Sequence, residues 1–149
     1  MRTHCVTLEA RADRALDVVD LTDDLRRAVK DSGVTEGFVL AFCPHTTCTL
    51  MINELEDGAL EDLRRRLGEL VPEGIYYAHD DVERRTQNLQ EGHERANGRS
   101  HVAHMLLGGA SHAIPVEAGE PALGRWQRLL LLELDEPRER RVELRVYGE

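Results

Sequence analysis

The segment PHTTCTLMINE, Pro44 to Glu54, combines an imidazole, three threonine hydroxyls, an amide and a carboxylate with apolar residues of strand type. His45 can move a proton or ligate a metal, and a purely structural strand has no need of the hydroxyl, amide and carboxylate groups that follow it. Each residue also has a purely structural role open to it. The threonines suit a bend or a strand, and Asn53 with Glu54 can cap a following helix.

Four of the seven histidines (His93, His101, His104 and His112) fall within twenty residues. His101 and His104 are three apart, share a helix face, and form a candidate metal pair. YYAHDD adds His79 beside Asp80 and Asp81. Cys43, His45 and Cys48 form another ligand-type group, but strand alternation predicts Cys48 on the opposite face from the other two. Trp126, the sole tryptophan, is expected to fill core or interface area, and is otherwise a substrate contact. Arg138, Arg140 and Arg141 can grip a phosphate but read more simply as a solvated hairpin tip.

The elements that position these residues are legible in outline. RTHCVTLE (2–9) alternates as a strand, and LDVV (16–19) as a short second one. LTDDLRRAVKDSG predicts a helix with Thr22 at its cap, a buried stripe of Leu25, Ala28 and Val29, and Gly33 as its stop. GFVLAFC (37–43) predicts a buried strand leading into the histidine segment. The next helix has Leu60, Leu63, Leu67 and Leu70 on one face, an RRR run on its solvated face paired to nearby glutamates, and Pro72 at its end. Residues 73–100 are polar and weakly periodic, a long loop of the kind that is functional or disordered. HVAHMLLG predicts a short helix. The remainder reads as a β-meander turning at Gly119 and again at 135–138.

With 149 residues and neither linker nor repeat, the chain predicts one domain spanning 1–149. The net charge of −9, from 19 basic and 28 acidic residues, argues against nucleic acid or an anionic membrane as partner. It leaves room for a small anionic ligand held by a few arginines. Three cysteines without a CxxC pair read as reduced thiols. With no leader pattern and no apolar run near the roughly 18 residues of a spanning helix, the expected location is the cytoplasm.

Together these pieces resemble the YjbQ family, also called the secondary thiamine-phosphate synthase family. The likeness runs through LTDDLRRAVKDSGVTEGFVLAFCPHTTCTLMINE, PEGIYYAHDD, NGRSHVAHMLLGGASHAIPVEAGEPALGRWQ and LLLLELDEPRERRVELRV. Its most specific part is Ser111 to Gln127, where Ser111, Ile114, Val116, Gly119, Gly124, Trp126 and Gln127 fit the family pattern. Arg125 replaces the usual threonine there, Arg99 stands where many relatives have a histidine, and Glu136 replaces a glycine.

The resemblance implies an α+β fold: a single β-sandwich-like domain with mixed sheets and two main helices, assembled as a homotrimer. It implies a polar pocket near a subunit interface, lined by His45, Thr46, Thr47, Asn53, Glu54, His79, Asn97 and His101. The activity it implies joins hydroxymethylpyrimidine diphosphate to thiazole phosphate with release of pyrophosphate. Under that reading His45, Glu54 and His101 are catalytic. Glu54 with Asp80, His45 or His101 holds a divalent cation, Thr46, Thr47 and Arg99 contact phosphate, and Asn53 or Asn97 contacts the pyrimidine. Two other readings stay open. One is a metal-dependent hydrolase or lyase of a small phosphorylated or carboxylated substrate, with Zn²⁺ rather than Mg²⁺ on His45, His79 and His101, and Glu54 as base. The other is a trimeric ligand- or metal-binding module without turnover.

Overall fold

The described residues form twelve segments of regular structure. They are β1 (Arg2–Ala10), β2 (Val18–Asp20), α1 (Thr22–Ser32), β3 (Gly37–Phe42), β4 (Cys48–Asn53), α2 (Asp57–Leu70), a 3-10 turn (Ala78–Asp80), α3 (Gly98–Leu107), β5 (Ser111–Glu117), β6 (Glu120–Pro121), β7 (Arg128–Glu133) and β8 (Arg140–Gly148). The structure, a computed structural model, describes residues 1–89, 92 and 94–149.

The strands form two sheets, ordered β1-β8-β3-β5-β6 and β2-β7-β4. Mixed sheets are not what forms: every strand pair among the described residues is antiparallel. The last strands do not make a simple meander either. β5 and β6 close a hairpin in the larger sheet through Gly119, which takes a left-handed φ of 82°. β7 then crosses to the centre of the smaller sheet, and β8 returns to pair with β1 and β3. The reason is burial. Leu129 to Glu133 are buried without a break, and a strand covered on both faces belongs in the middle of a sheet with a layer on either side.

Leu129 and Leu131 face the space between the sheets, with Val39, Ala41, Leu144 and Val146 among the residues opposite. Leu132 and Leu134 face the other way, against Leu67 of α2, Val71 just past its end and Ala103 of α3. The smaller sheet is thus sandwiched between the larger sheet and two helices. Leu25, Ala28 and Val29 of α1 join the inter-sheet core as the heptad-like spacing predicts.

Capping differs in detail. Asp20, not Thr22, serves the start of α1, accepting from the Thr22 backbone N–H at 2.9 Å and the Thr22 hydroxyl at 2.5 Å. The Thr22 oxygen in turn accepts from the Leu129 N–H at 3.0 Å, tying α1 to β7. Glu56, not Asn53, caps α2, its carboxylate accepting from Gly58 and Ala59, both at 2.8 Å. Leu70 is exposed, so the buried stripe of α2 stops at Leu67 and passes to Val71. Arg65 and Arg66 make surface pairs with Asp62 and Glu69, whereas Arg64 reaches back to Asp17 and the Leu16 carbonyl. α3 begins three residues before the predicted short helix and makes a third main helix. No helix is long and apolar enough to cross a membrane among the described residues.

Two further expectations change for tertiary reasons. Cys43 and Cys48 lie on one side, their sulfurs 3.3 Å apart in the inter-sheet core. Alternation holds within a continuous strand, but β3 stops at Phe42, β4 starts at Cys48, and the two belong to different sheets that face each other. The supposed solvated hairpin tip contains a buried ion pair. Arg140 is 2% exposed and its guanidinium grips Glu133, 1% exposed, with Nε to Oε2 at 2.7 Å.

Candidate active site

A cavity of about 720 Å³ opens between the 3-10 turn, the start of α3, the polar segment before it and the β7–β8 turn. Thr46, His79, Asn97 and His101 line it, so four of the predicted site residues meet there. Asp80 sets the geometry: its Oδ1 accepts from the Gly98 backbone N–H at 2.7 Å, placing a carboxylate at the N-terminus of α3. Gly98 is required by closeness. A Cβ there would stand 2.8 Å from Tyr77 Cβ and 3.0 Å from His79 Cβ. The His79 and His101 rings consequently sit with centroids 4.4 Å apart, tilted by 51°.

These two imidazoles are held differently. Arg85 donates through Nη1 to the His79 carbonyl at 2.8 Å and lies 3.0 Å from His79 Nε2. A guanidinium can only donate, so His79 Nε2 is the acceptor and its proton sits on Nδ1. Arg85 is steadied by an ion pair with Glu94. His101 is pushed below the ordinary imidazole range by burial first and then by His79, with Asp135 opposing. A neutral His101 near pH 7 can accept or relay a proton.

Arg85, Arg95 and Arg138 add three guanidinium groups to the cavity wall. Arg95 pairs with Glu136 at 3.1 Å, and Arg138 pairs with Asp135, which also accepts from Asn97 Nδ2 at 3.1 Å. Arg85 and Arg95 lie in the polar segment, where no periodicity distinguishes a wall residue from a solvated one. The sole sequence signal was the unusual length of that loop.

The other predicted residues lie elsewhere. His45 flanks Thr46 but does not line the cavity; its Nε2 accepts from the Arg141 backbone N–H at 3.0 Å. Burial, followed by the charge of Arg140, holds it below the usual range. Thr47 is buried, and its carbonyl accepts from Leu134 N–H and Arg140 Nη2, both at 3.2 Å. Arg99 turns away from the cavity, donating to the Val71 carbonyl at 2.8 Å and pairing with Glu73 at 3.4 Å.

Asn53 and Glu54 occupy the far end of β4, beside a mostly apolar recess of about 240 Å³. Glu54 also borders a recess of about 250 Å³ with Trp126 and Arg128. Trp126 is 62% exposed rather than core, with the Arg125 guanidinium 4.7 Å from its ring centroid. Six strand residues span roughly 17 Å, so within one chain Glu54 and the His79–His101 pair are separate sites.

The described residues of one chain do not complete a metal centre. Among the described residues no three of His, Cys, Asp or Glu lie close enough to hold an ion. His79 and His101 are adjacent, but His45 is elsewhere and the Asp80 carboxylate is committed to the helix start. His93, one of the four clustered histidines, lies outside the described residues.

The chain has counterparts in sequence and in fold. Residues 6–149 match the family model described as UPF0047 protein YjbQ-like. A UPF0047 protein of Archaeoglobus fulgidus is 40% identical over 135 residues, 91% of this chain and 94% of its own. YugU of Bacillus subtilis, also a UPF0047 protein, is 29% identical over 143 residues, covering 95% and 98%. A YbjQ-like protein of unknown function from Sulfolobus solfataricus superposes with a TM-score of 0.86 at 28% identity, covering 99% of each chain. A YjbQ/UPF0047 protein of Clostridium acetobutylicum gives 0.76 at 30% identity, covering 96% and 98%. With sequence and fold in agreement over almost its full length, this chain belongs to the YjbQ-like UPF0047 family.

Proposed function

We propose that the cavity binds a small phosphorylated molecule and that its reaction is the thiamine-phosphate synthase-like transfer implied by the family resemblance. One observation carries the reading. Three arginines converge on one 720 Å³ space in a chain of net charge −9, beside two imidazoles and the Asn97 amide. Guanidinium groups match phosphate oxygens in pairs, and a diphosphate leaving group is the species they stabilise. Each arginine has a carboxylate partner, which holds its fork in place before a ligand arrives.

In this reading Arg85, Arg95 and Arg138 take the phosphates, Asn97 orients the heterocycle, and His101 exchanges a proton with the bound ligand. No step is routed through a metal, because the described residues of one chain supply no fitting donor set. The expected homotrimer belongs to the same proposal. Val102 and Met105, exposed on α3, border the cavity, so a neighbouring subunit seated there would wall the site. The separation of Glu54 from the cavity favours a second reading, binding without turnover.

The test supplies purified protein with both precursors and Mg²⁺, beside Arg138→Gln and His101→Asn variants, with calorimetric titration of pyrophosphate in parallel. Thiamine phosphate formed by the parent and lost in both variants is the expected result. Pyrophosphate binding without turnover selects the binding module. Failure to bind either precursor or pyrophosphate overturns the reading, and light scattering that gives a monomer overturns the trimer.

A further inference from the structure

Cys43 ends the run out of β3 and Cys48 opens β4, and residues 44–47 form the connector between the two sheets. Both thiols are free and buried, with 3.3 Å between their sulfurs. That connector carries His45, and Thr46 on the cavity wall. We propose that Cys43 and Cys48 are a dithiol that closes reversibly to a disulfide, making residues 44–47 an oxidation-responsive part of the cavity wall.

The sulfurs need to approach by little more than 1 Å to reach the bonding distance of about 2.05 Å. The two thiols are also unequal. The Cys48 S–H hydrogen bond favours the Cys43 thiolate, burial opposes it, and the His45 backbone N–H and Arg140 assist. Cys48 is pushed strongly upward by the same hydrogen bond and by burial. The His45 backbone N–H, which serves the Cys43 sulfur, makes Cys43 the attacking sulfur and Cys48 the resolving one.

Hydrogen peroxide is the oxidant class that fits two buried sulfurs reached through a short connector whose Pro44 and Thr46 are exposed. The Cys43 thiolate attacks one peroxide oxygen, the O–O bond breaks, and hydroxide leaves to give a sulfenic acid. Cys48 sulfur then attacks Cys43 sulfur, the S–S bond forms, the S–O bond breaks, and water departs with the Cys48 proton. Two thiols and one peroxide give one disulfide and two waters. A dithiol reductant reverses the change. Cys5 lies exposed on β1, away from the pair, and serves as an internal control.

The test treats the reduced full-length protein with peroxide, then denatures and alkylates it. The expected result is loss of two of the three alkylatable thiols. The tryptic peptide 31–64, which holds both Cys43 and Cys48, becomes lighter by two hydrogens, and dithiothreitol restores it. In Cys48→Ala, dimedone should trap a sulfenic acid on Cys43; should that variant fail to fold, the wild-type peptide mass decides alone. A peptide that still takes two alkyl groups under peroxide sufficient to oxidise Cys5, or one that goes directly to sulfinic acid, overturns the dithiol. Amide hydrogen exchange at 45–47 reads the second half of the proposal. Slower exchange in the oxidised protein supports it, and identical exchange in both forms overturns the response of the connector.

Discussion

Replacing Arg140 by leucine removes the cation from a pair in which both side chains are at most 2% exposed. Burial works against the charge of Arg140, and the hydrogen-bonded Glu133 carboxylate more than restores it. In the variant, Glu133 keeps one donor, the Asp135 N–H at 3.0 Å on Oε1, and Oε2 is left with none among the partners described. Breaking a buried pair from one side costs about 3–5 kcal/mol. For a domain near 150 residues each kcal/mol moves the melting temperature by about 2–4 °C, so thermal unfolding should fall by about 6–20 °C. Removing both charges with Arg140→Leu and Glu133→Leu leaves the Asp135 N–H to find another partner. The Thr47 carbonyl still accepts from Leu134. The double variant should therefore recover at least half of the loss, since apolar replacement of a whole buried pair is often close to neutral. Circular-dichroism melts of the parent, both single variants and the double variant measure this. A single variant within about 1 kcal/mol of the parent, or a double variant less stable than either single, would refute the account of Arg140 as an obligate partner.

Three other outcomes are expected. His45 and His101 are both lowered from an ordinary 6.5, so between the lowered values and 6.5 the unfolded chain binds more protons than the folded one. Stability should thus be fully present above pH 6.5 and decline as pH falls through the folded values; a flat urea midpoint across this window, in the parent and in His101→Asn alike, contradicts the shifts. Gly98→Ala should drive the 3-10 turn and α3 apart, because its new Cβ meets Tyr77 and His79 at 2.8 and 3.0 Å. Any pyrophosphate binding should weaken at least tenfold, and a crystal structure with the His79–His101 spacing unchanged would count against this. Arg99→Leu should cost about 1–2 kcal/mol through the orphaned Val71 carbonyl, yet leave pyrophosphate affinity within twofold; a large affinity loss would restore Arg99 to the ligand site.

Local patterns determined much of this protein. The period of Leu25, Ala28 and Val29 specified the buried face of α1, and the alternation of residues 2–9 specified β1, because each rule depends only on near neighbours. The residues most able to do chemistry were also visible by type, and His79, Asn97, His101 and Thr46 do share one cavity. What sequence reasoning could not reach was which residues meet across long separations. Cys43 and Cys48 touch because β3 and β4 turn inward from opposite sheets. Arg140 is buried because the start of β8 carries its side chain to the Thr47 carbonyl and to Glu133 of the other sheet. Arg85 joins the cavity through a loop without periodicity, while Arg99, two residues from His101, turns aside because a helix carries neighbouring side chains about 100° apart. Spacing along the chain sets which face a residue occupies; the packing of sheets and helices sets what that face meets.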